Sequence, residues 1–370
     1  MSLTLVVPDR SGLGPSGGDR YDETVVAQWR RQGRRVEVHA VPGAWPWPTT
    51  RDVARLADLT QVLPPGPVLL DGLVGCAVPE VVERSAAVRP TVVLVHSLLA
   101  DGAGAEGEQA AELDRRERRA LAAAHGVVVT SAWSRARLAE RHGVVGAAVA
   151  RPGTLAAPVA PGTLTAAEDG VSGTGGVRAA AAPSLLSLGA VAPLKNHRTL
   201  LTALADLTDL PWTLVVAGPA PDCDHLSALR GEAARRGLAA RVSWTGPLEG
   251  EALEHVWGRT DLLVHPSRSE TYGLVVAEAL ARGIPAVVGS GTGAVEALTG
   301  SVEADGTAGL PGAAVSTHEP QELSRVLRRW FCDPGLRRRW RAAALARRDR
   351  VPGWDRTVVE IDRLLRRIAG

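Results

Sequence analysis

The segment HPSRSETYGLVVAEALARGIPAVV (265–288) carries two carboxylates eight residues apart, Glu270 and Glu278, on either side of Gly273. An apolar strand ending at His265 runs into a short polar loop, and a helix is expected to open near Leu274. The first N–H groups of such a helix have no intrahelical acceptor, and the helix dipole reinforces them as an anion site. Gly273 allows a ligand to approach the backbone closely. A carboxylate beside an anion site has a chemical use if it accepts hydrogen bonds from sugar or ribose hydroxyls. The alternative is that Glu270 caps the helix and Glu278 is an ordinary surface glutamate.

A second chemical signal lies upstream in SLGAVAPLKNHRTLLTAL (187–204), which reads as strand, loop and helix with Lys195 on the loop. Lys195 is the only lysine in the chain; the other 41 of its 42 basic residues are arginine, and Asn196 beside it is the only asparagine. A compact ammonium at the carboxyl end of a parallel strand is well placed to hold a phosphate. Otherwise it is a solvated cation at a helix start, which the dipole slightly disfavours.

The elements that must position these groups are short apolar strands alternating with Ala- and Arg-rich amphipathic helices, the pattern of parallel sheets covered on both faces. Strands are expected at Leu3–Pro8, Arg35–His39, Pro67–Leu70, Thr91–His96 and Val127–Thr130. A helix is expected around Asp22–Gln32 after the glycine-rich loop SGLGPSGGDRY (11–21), and another from Ser131 or Ser134. The alternation stops near 156–183, where proline, glycine and alanine without periodicity read as a linker or loop. It restarts with strands at Ser184–Leu188, Trp212–Ala217, Val242–Thr245, Leu262–His265 and Ala286–Val288, and helices at Asn196–Ala205, His225–Gly237 and Leu274–Arg282. The expected organisation is a first domain over 1–155, the linker 156–183, a second domain over 184–350 and a last helix over 351–370 able to fold back across the hinge. Two doubly wound α/β domains facing across a cleft are the predicted architecture.

Composition bounds the rest. With 370 residues, 45% hydrophobic and 22% charged, the chain suits two globular domains. A net charge of +2 gives no electrostatic basis for nucleic acid as a partner. No run approaches a membrane span, and MSLTLVVPDR reads as a first strand, not a signal peptide, so a cytoplasmic location is expected. Cys76, Cys223 and Cys332 are far apart and read as reduced thiols. Asp222-Cys223-Asp224 superficially suggests an Asp-x-Asp metal motif, but a helix cap by either aspartate is the preferred reading, and no metal is expected. The basic stretches Arg30–Arg35 and DRRERR (114–119) read as solvated helix faces with local ion pairs.

Taken together and in order, the lysine loop, VSWTGPL (242–248), the Glu270/Glu278 segment and GSGTGAVEAL (289–298) resemble the family-four retaining glycosyltransferases of the GT-B fold. The resemblance is strongest over 184–300 and thinner in the first half. It implies that Glu278 holds the ribose hydroxyls, that Glu270 contacts the donor sugar, and that amides near Tyr272, Gly273 and Leu274 meet sugar and phosphate. It further implies that Lys195 neutralises the pyrophosphate, that Thr245, Gly246 and Leu248 flank the base, and that Gly17 and Gly18 close over the donor. His96 falls where such enzymes place a histidine near the reacting sugar; otherwise it is a satisfied histidine at a sheet edge. The last helix would cross back onto the first domain.

The implied reaction moves a sugar from a nucleoside diphosphate to a small soluble acceptor with retention and without a metal or other cofactor. Ala190 departs from the family pattern, which has arginine there, leaving leaving-group stabilisation to Lys195, the helix start and Arg268 or Arg198. A nucleotide-sugar epimerase of the same fold and a non-catalytic nucleotide-sugar-binding subunit are the alternatives; isomerisation without an acceptor would mark the first, binding without transfer the second.

Overall fold

The computed structural model describes residues 3–9, 16–164, 182–300 and 309–369. It divides into two compact units, one formed by 1–153 with 352–370 and the other by 154–351.

In the first unit six parallel strands, β1 (Leu3–Pro8), β2 (Val36–Val41), β3 (Val68–Asp71), β4 (Thr91–Val95), β5 (Gly126–Val129) and β6 (Ala148–Val149), lie in the order β2-β1-β3-β4-β5-β6. Every residue of β3 and β4 is buried, as a sheet covered on both faces requires. The intervening helices are α1 (Gly17–Arg31), α2 (Thr50–Val62), α3 (Gly72–Gly75), α4 (Pro79–Ala86), α5 (Leu99–Ala103), α6 (Gly107–Ala123) and α7 (Ala132–His142). Helix α1 begins five residues earlier than expected. Ser16 and Asp19 form a reciprocal capping box, so Gly17 and Gly18 occupy its first turn and are not loop residues. Residues 10–15 of the glycine-rich segment lie outside the described residues.

In the second unit the strands β7 (Ser184–Leu188), β8 (Thr213–Ala217), β9 (Val242–Gly246), β10 (Leu262–His265), β11 (Ala286–Gly289) and β12 (Gly312–Val315) take the order β12-β11-β10-β7-β8-β9, again all parallel. Its helices are α8 (His197–Ala205), α9 (Cys223–Arg235), α10 (Gly250–Gly258), α11 (Leu274–Ala281), α12 (Ala294–Thr299), α13 (Pro320–Cys332) and α14 (Pro334–Arg348). Alternate strand residues feed two cores: Leu185, Leu262, Val264 and Val287 join one, while Leu186, Leu263, Ala286 and Val288 join the other. Strand order reverses between β7 and β10, a topological switch point where the loops at the strand ends part and leave room for a ligand.

Residues 156–164, read from sequence as the start of a linker, are packed into this unit. Ala160 N–H donates to Arg282 O (3.0 Å) and Gly162 N–H to Gly258 O (2.9 Å), while Thr163 and Leu164 N–H donate to the Asp261 carboxylate at 2.9 and 3.1 Å. Residues 165–181 of that segment lie outside the described residues.

The last helix, α15 (Trp354–Ala369), belongs to the first unit. Val358, Ile361, Leu364 and Leu365 form its buried stripe, and Leu364 fills the space that a Cβ on Gly126 would take, 3.0 Å away. Trp354 packs edge-on to Tyr21 at 5.4 Å, and Asp362 accepts from Trp29 Nε1 at 3.0 Å and from Arg34. Among the described residues no helix is long and apolar enough to cross a membrane.

Candidate functional site

The second unit concentrates charge at its switch point. After β7 the chain turns at Gly189, makes a single 3₁₀ turn over Pro193–Lys195, and enters α8. β10 ends at His265, and the chain then passes Ser267 and Glu270 before α11. Lys195 Nζ donates to Glu270 Oε1, and the same oxygen lies 2.7 Å from His265 Nε2, which in turn is 3.1 Å from Ser267 Oγ. Burial alone would raise the Glu270 pKa, but the charges of Lys195 and His265 and their hydrogen bonds hold it well below the ordinary carboxylate range. Glu270 is therefore an ionised, fixed acceptor. It does not cap α11, whose N-cap is Gly273 in a left-handed conformation (φ 83°) with no side-chain cap bond.

Backbone packing holds this loop in place. Gly293 N–H donates to Glu270 O at 2.6 Å, and a Cβ on Gly293 would stand 2.0 Å from Thr271 O. Two strands are tied by Asn196, which is 3% exposed and adopts φ 59°. Its Nδ2 donates to Pro266 O (3.1 Å) and Thr317 O (2.8 Å), while its Oδ1 accepts from Thr199 Oγ1 (2.8 Å). The following residue, His197, is buried, and burial with the positive charges of His265, His225 and Lys195 lowers its pKa to about 3, so it stays neutral.

Of the residues singled out from sequence, Lys195 and Glu270 are brought into direct contact. Gly273 and Leu274 open α11, Tyr272 is buried beside them, and Glu278 is half-buried one turn into that helix. Thr245 and Gly246 end β9, at the far edge of the sheet beyond β8, with Thr245 Oγ1 donating to Gly246 O at 3.0 Å; Leu248 follows them, packed on one core. Arg198 pairs with Glu232 at 3.6 Å, and Arg268 is exposed. His265 and Asn196 had been given no role. Each had a signal: His265 is the polar end of an apolar strand, and Asn196 is the single asparagine, at a position whose positive φ suits that side chain. Asp222 caps α9, accepting from Asp224 N–H and His225 N–H at 2.9 and 3.0 Å.

The first unit carries its own charged cluster. His96 follows β4, and its Nε2 lies 2.9 Å from Asp22 Oδ1 and 3.8 Å from Asp71 Oδ2. Burial opposes the imidazolium, yet the two carboxylates prevail and raise its pKa to about 9. The ring also packs edge-on to Tyr21 at 5.1 Å, and a Cβ on Gly18 would stand 3.2 Å from it. Gly18 thus makes room for His96, whereas Gly17 has open space around it. His96 is thus oriented by Asp22 and Asp71 at the end of its sheet.

Residues 179–347 match the family model of glycosyl transferases group 1. The chain is 35% identical over 178 residues to the D-inositol 3-phosphate glycosyltransferase of Streptomyces griseus, covering 46% of this chain and 36% of that protein. It is 31% identical over 191 residues to that of Mycolicibacterium gilvum, covering 50% and 39%. The chain thus spans well under half the length of these curated relatives. Among solved structures, sucrose-phosphate synthase from Thermosynechococcus elongatus superposes with a TM-score of 0.77 at 18% identity, over 100% of this chain and 99% of that one. Anabaena Alr3699/HepE in complex with UDP-glucose superposes with a TM-score of 0.76 at 18% identity, over 99% and 100%. Over residues 179–347, most of its second unit, the chain is thus similar to the glycosyl transferases group 1, and its two doubly wound parallel sheets share the GT-B fold of the solved structures.

Proposed function

We propose that the protein is a retaining glycosyltransferase that takes a sugar from a nucleoside diphosphate, with UDP-sugars the first donors to test, and passes it to a small hydroxylated acceptor. The observation that carries this reading is the Lys195–Glu270–His265 cluster beside the start of α11, at the switch point of the unit similar to glycosyl transferases group 1. The donor class draws on the solved relative holding UDP-glucose, and a phosphorylated polyol is the acceptor to try first because the curated relatives are D-inositol 3-phosphate glycosyltransferases.

In the proposed reaction the bond between the anomeric carbon and the phosphate oxygen breaks. The acceptor oxygen bonds to that carbon on the same face, and its proton passes to the departing phosphate oxygen. Negative charge accumulates on the diphosphate. The ammonium of Lys195 and the first-turn amides of α11, already fixed in place, would stabilise that charge without reorganising. Glu270 holds Lys195 at rest and offers hydroxyls an ionised acceptor, and Glu278 would take the ribose. No metal is required in this scheme, because the countercharge comes from side chains and amides.

The test is a panel of UDP-, GDP- and ADP-sugars with inositol phosphates as acceptors, run on the parent, Lys195→Ala and Glu278→Gln. Transfer from one nucleotide series, lost in Lys195→Ala and weakened in donor KM by Glu278→Gln, supports the assignment. Isomerised donor with no acceptor product, or tight donor binding with no turnover, refutes it; Ala190 makes the second outcome the sharper challenge.

A further inference from the structure

Glu270 has two donors on one oxygen, and they differ in freedom. Lys195 Nζ and His265 Nε2 both meet Oε1, the ring nitrogen at 2.7 Å. An ionised carboxylate only accepts, so Nε2 carries a hydrogen and donates it. The lysine side chain is 27% exposed and ends a flexible four-carbon stem. The imidazole is 4% exposed, stands at the end of an interior strand of the sheet, and has Ser267 Oγ at 3.1 Å.

The backbone around the pair is tied. Asn196, next to Lys195, donates its side-chain amide to the carbonyl of Pro266, next to His265. Arg268 N–H donates to Leu194 O at 2.8 Å, so the two loops are also joined directly. A change of partner within the cluster therefore falls to the lysine side chain, while the ring and the carboxylate stay where they are.

The proposed reaction requires such a change, because Lys195 must turn to the diphosphate. A carboxylate that loses its only countercharge in a largely buried place is costly to leave, and that cost is subtracted from donor affinity. A second donor fixed on the same oxygen lowers it. Position 190 is alanine, so no arginine there can take the phosphate in the lysine's place.

We propose that His265 is a positioning residue that keeps Glu270 paired while Lys195 leaves it for the donor diphosphate, making the ion pair a latch that the nucleotide opens. The inference rests on the transferase reading, which supplies the nucleoside diphosphate as the anion that Lys195 meets.

The single lysine makes the exchange visible. In the full chain labelled with ¹³C,¹⁵N-lysine, the one lysine side chain observed is Lys195. UDP, GDP and ADP are titrated against the parent by calorimetry and NMR. The nucleotide that binds is carried through His265→Phe, His265→Asn, His265→Gln, Glu270→Gln and the double variant His265→Phe with Glu270→Gln. The Lys195 Cε signal should shift saturably in the parent. Kd should weaken about tenfold or more in His265→Phe and stay within about threefold of the parent in His265→Gln, whose amide restores an N–H donor. His265→Asn, too short to reach Glu270, should lose as much as His265→Phe, and it keeps the test available where the apolar ring disturbs the fold. Glu270→Gln carries no charge to compensate, so it should bind nucleotide at least as tightly as the parent. Adding His265→Phe to it should then change Kd by no more than about threefold, whereas a ring that only supports the fold, or attracts phosphate directly, costs the same affinity in both backgrounds.

Nucleotide binding to the parent with Kd unchanged in His265→Phe and His265→Asn overturns the inference and leaves the donor site standing. An equal loss in the Glu270→Gln background, or a Lys195 signal that stays put as nucleotide saturates, does the same. Failure of all three nucleotides to bind the parent overturns the donor-site reading, and this inference with it.

Discussion

Asn196 should be the costliest polar side chain to remove from the second unit. Replacing it with alanine deletes two donations to the carbonyls of Pro266 and Thr317 and strands the hydroxyl of Thr199. Net losses of about 1 kcal/mol for each bond, with more where a buried partner stays unpaired, give about 2–3 kcal/mol. Alanine at φ 59° adds about 1 kcal/mol, because a Cβ without a compensating polar group is strained in the left-handed region. Asn196→Ala should therefore destabilise the second unit by about 3–4 kcal/mol. Asn196→Gly, which escapes the strain, should lose about 2–3 kcal/mol. Asn196→Asp should be the worst of the three, since it sets a carboxylate against two carbonyls. Urea unfolding of the full chain, with the two units followed separately, measures these differences; the shift belongs in the midpoint, with the slope unchanged. A loss below 1 kcal/mol in Asn196→Ala, or a glycine variant as damaged as the aspartate one, refutes the reasoning.

Three further outcomes are expected. Gly293→Ala sets a Cβ 2.0 Å from Thr271 O and 2.9 Å from Glu270 O, so the Glu270 loop must move; about 1–3 kcal/mol of stability and a large part of transfer should be lost, whereas Gly291→Ala, with nothing within 4 Å, should lose only what its positive φ (70°) costs. The His96 pKa is raised in the folded state, so its stabilising contribution is complete below about pH 6.5 and disappears as pH rises through about 9. Asp22→Asn should flatten that stretch of the stability profile, and a His96 that titrates by NMR at or below 6.5 contradicts it. Transfer should survive EDTA; loss restored by a divalent cation would instead implicate Asp22, Asp71 and His96, whose ligand-type atoms lie within 4.8 Å of one another.

Much of this was legible in order along the chain. Short apolar runs separated by helical periodicity identified ten of the twelve strands among the described residues, most plainly β3 and β4, whose every residue is buried, while β2 and β9 keep polar, partly exposed positions. The misses have local causes. Strand β6 is two residues long, too short for a pattern to form, and β12, though as long as β3 or β5, reads GAAV and lacks the run of branched residues that marks them. Helix α1 was started late because two glycines outweighed the Ser16–Asp19 capping box, a signal that was present and should have prevailed. The Thr49–Asp52 box that opens α2 was equally readable.

By itself the sequence determined the alternating α/β pattern, the carboxylate pair on the β10–α11 segment and the lone lysine on its loop, since each depends on neighbours within a few residues. Only the tertiary structure decided that Lys195 and Glu270, 75 positions apart, form an ion pair, that His265 joins them, and that the single asparagine is the tie holding their loops together. Strand order made those choices. β7 and β10 become neighbours because β8 and β9 are laid on the other side of β7, and no local preference records which strands pair.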